Sequence, residues 1–95
     1  GPSEHMGEHC DKADSCKYNL LTYLDAAWPD GVEPSPGIQL FIFRGDNSAT
    51  GLAMRLTARS NRAAAIFGSR HAHLRPPLAA GERLVMLAGC FHVAG

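Results

Sequence analysis

Apolar positions fall into short runs separated by polar or Gly/Pro breaks, and the first substantial run lies in the segment SCKYNLLTYLDAA. There Tyr18, Leu21 and Ala26, with Leu20, Leu24 and Ala27, gather on one mostly apolar helical surface, while Asp14 and Ser15 offer N-cap oxygens and Pro29 stops the run. The pattern predicts a buried helix over residues 15–27. Residues 30–37 bring proline and glycine in quick succession and read as a connecting loop. Ile38, Leu40 and Ile42 then alternate with Gln39, Phe41 and Phe43, which marks a strand apolar on both faces, and GDNS at 45–48 supplies a turn. Leu52, Met54 and Leu56 alternate with Ala53 and Arg55, so a second strand is expected to return as a hairpin. Residues 63–67 and 70–74 read as two short strands around a turn at Gly68 and Ser69, ended by Pro76 and Pro77. The run at 81–87 is too brief to separate a strand from a short helix.

A helix followed by antiparallel strands is the α+β arrangement, with the helix packed on one face of a small sheet. At 95 residues and 45% apolar content the chain has room for one core and no second domain. Residues 1–6 (GPSEHM) read as the remnant of a cleaved purification tag rather than a secretory signal, 7–13 as a flexible lead-in, and 14–95 as the folded domain. Nine basic and nine acidic residues cancel, which leaves no field to hold nucleic acid or an anionic membrane. Apolar stretches such as 84–88 fall far short of the roughly 18 residues a membrane span needs. Three cysteines, Cys10, Cys16 and Cys90, without the dense spacing of a disulfide scaffold, point to a reducing compartment.

One of those cysteines could carry chemistry. Cys16 falls in the first turn of the expected helix, where backbone N–H groups and the positive dipole end favour a thiolate. A thiolate nucleophile needs an imidazole to take and return its proton. Beyond the tag remnant the histidines are His9, His71, His73 and His92, and His71 and His73 share a strand face. Asn19 reads as structural, and Asp46 and Asn47 as turn formers. Two other readings compete: a non-enzymatic interaction module that uses the sheet edge, and a zinc site built from His9, Cys10 and Cys16, with or without Cys90, whose spacing matches no paired-knuckle pattern.

The segment DSCKYNLLTYL resembles the nucleophile region of viral papain-like leader cysteine proteases, the potyviral helper-component proteinase and the closterovirus and hypovirus leader proteases, with Cys16, Asn19, Leu20 and Leu21 in matching places. IFGSRHAHLRPPLAAGERL resembles the histidine region of that family, with His73 and Leu74 in the His-aliphatic position and Gly81 downstream. The resemblance implies a compact papain-like domain with a Cys16–His73 dyad that cuts once, in cis, after Gly95, with His92, Val93 and Ala94 leading into the cut. It further implies a monomer acting on its own polyprotein in the host cytoplasm, with no cofactor or metal, the cleaved tail remaining in the cleft as product inhibitor. Ser15 and Lys17 stand where the family commonly carries aromatic residues, and His92 and Ala94 differ from the potyviral cut site, so the cleft walls and substrate preference differ.

Overall fold

The computed structural model describes residues 6–10 and 18–91. They hold seven strands: β1 (Met6–His9), β2 (Tyr18–Ala27), β3 (Gln39–Phe43), β4 (Leu52–Thr57), β5 (Arg62–Ile66), β6 (His73–Arg75) and β7 (Arg83–Phe91). Two short 3-10 turns, Pro36–Ile38 and Ser48–Thr50, are the only helical pieces among the described residues.

The expected helix is therefore a strand over its described part, and the α+β expectation gives way to an antiparallel β fold. The reason lies in the residues themselves. Leucines at consecutive positions satisfy a period of two as well as a helical one, and Tyr18, Thr22 and Tyr23 are types that fit a pleated surface. Asn19, Leu21 and Tyr23 point into the core, while Leu20 and Leu24 point out. With β5 on one side and β7 on the other, the backbone groups of β2 are satisfied by ladders rather than by a helix. Residues 14–17, which contain the expected cap and Cys16, lie outside the described residues.

All strand pairings are antiparallel, in two sheets ordered β1-β6-β3-β4 and β5-β2-β7. Leu40 and Ile42 of the first sheet meet Leu21, Tyr23 and Ile66 of the second, and Ile38 and Ala58 fill in from the connections. This is a two-layer sandwich with its core between the sheets. Burial raises the Tyr23 phenol pKa, an effect partly opposed by the positive charge of Arg75.

The β3–β4 hairpin forms as the alternation predicts, with Phe41 opposite Arg55 and Ile42 opposite Met54. Its turn is closed by Arg44 N donating to Gly51 O at 2.8 Å and by Asn47, whose side chain accepts from Ala49 N at 3.0 Å. The second expected hairpin does not form. β5 and β6 lie in different sheets, and Phe67 O accepts from Arg70 N and His71 N at 3.0 and 3.1 Å as the chain crosses over. The polar segment before Cys10 contributes β1, paired with β6. The undecided run near residue 84 is strand, and it extends to Phe91.

Two connections are tied together at one end of the sandwich. The Glu82 carboxylate accepts from Ser35 N, Ser35 Oγ and Ala79 N at 2.6, 2.5 and 2.7 Å. Burial works against its charge, yet these bonds from Ser35 and Ala79 together hold the carboxyl pKa below its ordinary value. Gly37 sits here because a Cβ would fall 2.2 Å from Pro77 O, a contact that only glycine avoids.

Candidate functional site

β6 places His73 opposite Ile42 on one side and His9 on the other. Its side chain is 0% exposed, with ring centroids of His73 and His9 4.2 Å apart. Nδ1 of His73 lies 2.9 Å from His71 O, and because a carbonyl can only accept, that nitrogen carries the hydrogen. A base that must exchange protons with a peptide needs access to it, and this ring is enclosed by the sandwich.

His71 does not share a strand face with His73 as expected. It lies in the turn before β6, donating from Nδ1 to Phe43 O at 2.9 Å. Its ring lines a cleft of about 190 Å³ with Ile42, Met54, Ile66 and Phe67, at the open side of the sandwich between β4 and β5. Cys16 and His92, Val93, Ala94 and Gly95 lie outside the described residues, so the proposed dyad and its tail are not brought together or apart here.

The remaining chemistry is dispersed. Cys10 keeps its thiol, which donates to Asp46 O at 3.6 Å, and His9 Nδ1 is 2.8 Å from Gly7 O. Cys90 is disulfide-bonded, and the other sulfur of that bridge lies outside the described residues. A bridged sulfur cannot serve as a thiolate ligand, and no group of three or more His, Cys, Asp or Glu side chains among the described residues could hold a metal ion. Cys16, a ligand in the zinc reading, lies outside the described residues. No helix of the described residues is long and apolar enough to cross a membrane.

What stands out instead is the sheet β5-β2-β7. β7 is nine residues long, forms one edge of that sheet and, among the described residues, pairs only with β2. The single irregularity in that ladder lies between Tyr23 and Asp25, where Leu24 is the extra residue, so the bulge belongs to β2 and β7 runs unbroken. Val85, Leu87 and Phe91 are 46%, 61% and 52% exposed on its outward side, beside Leu20 and Leu24 of β2. Edge strands are ordinarily blunted by lysine, proline, shortness or a bulge. β7 has none of these; its charged group is Arg83 at the start, paired with Asp25. The opposite edge of the same sheet, β5, is a five-residue strand of Arg62, three alanines and Ile66.

Sequence reasoning named a sheet edge as a possible interaction surface but did not locate it on β7. The signal was RLVMLAGCF, a run of edge-compatible apolar residues with no charge after its first position, which read as undecided because an edge strand and a buried strand look alike without their neighbours. No protein family, curated protein or solved structure matches this chain.

Proposed function

We propose that this protein is a non-enzymatic interaction module whose partner adds a strand to the outer edge of β7. The observation that supports it is the length and apolar character of that edge, unblunted among the described residues and flanked by outward Leu20 and Leu24. Strand addition takes affinity from main-chain hydrogen bonds and specificity from alternate side chains, and β7 offers Val85 and Leu87 at alternate positions for that purpose. A cancelled net charge is consistent with recognition by shape and apolar contact rather than by long-range attraction. The disulfide at Cys90 favours an oxidising compartment over a host cytoplasm that keeps thiols reduced.

The self-cleaving protease reading rests on the resemblance alone. The helix whose start would favour a Cys16 thiolate is replaced from Tyr18 onwards by a strand, and His73 is enclosed. It has its own test. An extended chain that cuts itself after Gly95, and stops doing so with Cys16→Ala, would reinstate the dyad, as would selective alkylation of Cys16 without reductant.

The interaction reading is tested by panning displayed nine-residue peptides against the wild-type protein, with Val85→Lys/Leu87→Lys as the counter-target. Expected are extended, alternately apolar peptides that bind wild type, lose the double variant and fail once alternate amides are N-methylated. Peptides that bind both proteins equally, or that tolerate N-methylation, would remove strand addition at β7.

A further inference from the structure

The geometry points to a second binding site, independent of β7: the cleft between β4 and β5 takes a neutral single-ring phenol, whose hydroxyl donates to Nε2 of His71. β4 and β5 are edge strands of different sheets, and among the described residues the two layers stand apart between them. Ile42 from the first sheet and Ile66 from the second are buried and form the floor, while the exposed Met54 and Phe67 stand at the rim. β5 is built largely of alanine, and Ala65 beside Ile66 adds little bulk to the gap. Tyr18 packs on Phe67 with ring centroids 4.8 Å apart, which supports that wall.

Size, charge and hydrogen bonding select the ligand. The cleft holds about 190 Å³, and a cavity of about 150 Å³ is enough for benzene, so the space suits a single ring with a small substituent or two. No Asp, Glu, Lys or Arg side chain lines it, so a charged ligand would lose hydration without gaining a counter-charge. The polar side chain in the lining is His71. Its Nδ1 hydrogen goes to Phe43 O at 2.9 Å, which fixes the tautomer and leaves Nε2 as an acceptor. An acceptor in an apolar wall selects a molecule that carries a donor, and a phenolic hydroxyl is a strong neutral donor on an aromatic ring. The Met54 thioether and the Phe67 ring both favour an aromatic neighbour over an aliphatic one. Water competes poorly, because an ordered water needs several polar partners and finds one side chain here.

Titration of the intact chain with p-cresol, followed in amide NMR spectra, tests the inference, with toluene as the same shape lacking the hydroxyl. p-Cresol is expected to shift the amides of Met54, Phe67 and His71 saturably, with a dissociation constant on the order of 0.1–1 mM. Toluene should shift the same amides and bind roughly threefold to tenfold more weakly, the worth of one neutral hydrogen bond. His71→Phe keeps a ring and removes the acceptor, so p-cresol should fall to the toluene level. Met54→Trp fills the exposed side of the cleft and should weaken both probes roughly tenfold or more. If His71→Phe fails to fold, the comparison of the two probes on wild type still decides the role of Nε2. No saturable shift up to the solubility of p-cresol, shifts away from the cleft, equal affinity for the two probes, or full affinity in Met54→Trp would each overturn the phenol site. The cleft shares no residue with β7, so none of these outcomes bears on strand addition there.

Discussion

On β2, Leu21 and Tyr23 are 2% and 4% exposed, whereas Leu20 and Leu24, adjacent on the same strand, are 39% and 49% exposed. The inner face closes against Leu40 and Ile42 of the other sheet, and the outer face meets no layer among the described residues. Both faces are apolar, but only one is needed for the core. The comparison teaches that apolar content in a strand has two uses, and that the surplus on the outer side of β5-β2-β7 is where recognition is expected. The first sheet differs: the outward neighbours of its β3, Phe41 and Gln39, are half-buried, and the polar Arg55 stands opposite Phe41.

The sharpest way to break this comparison is truncation on the two faces. Leu21→Ala should lower unfolding free energy by ~2–5 kcal/mol, because it opens a cavity between the sheets. Leu20→Ala should stay within about 0.5 kcal/mol, as expected for a surface position. Urea titrations of both variants decide it, and equal losses would mean that the outer face is covered.

Next comes His73, an inward polar group on the other sheet. His73→Ala should lower stability by about 1–3 kcal/mol, since it removes a buried ring and leaves the His71 carbonyl without its donor. Thermal melts show the effect, and a stable variant with unchanged melting would mean the ring is not part of the core.

Glu82 tests the tie between connections, away from both faces. Its folded pKa lies below its ordinary value of 4.5, so its contribution is fully present above that value and is lost as pH falls through the lower folded pKa. Glu82→Gln should cost on the order of 1 kcal/mol near neutrality and flatten the acid limb of the stability–pH curve. An unchanged acid limb would show that Ser35 and Ala79 do not depend on the carboxylate.

The smallest effect is expected at the outer rim. The hydrogen bond from Arg83 lowers the Asp25 pKa, but both groups are exposed, so Asp25→Asn should leave the melting temperature essentially unchanged in moderate salt. A clear loss of stability would mean that Arg83 and Asp25 hold β7 onto β2 rather than merely bordering it.

Legibility in the sequence followed the range of the interactions. The β3–β4 hairpin was readable because its two strands are neighbours in the chain, their alternation is in phase and the turn is formed by Asn47 and Gly51 between them. The stop at Pro76 was equally local, because proline cannot extend the ladder of β6. For the candidate site, the cysteines and histidines could be named but not placed. Cys90 stands on β7 and is bridged, while His73 turns inward between β1 and β3.

By itself the sequence determined the main apolar segments, the breaks at glycine and proline between them, and a formal net charge of zero. Only the tertiary structure decided that residues 18–27 are a strand, because that choice depends on Ala63–Ile66 and Arg83–Phe91 arriving on either side to pair with it. It also decided which of two equally apolar faces is covered. Packing between sheets is a property of residues far apart in the chain, and a local pattern of Leu20, Leu21 and Leu24 carries no record of which side its partners will take.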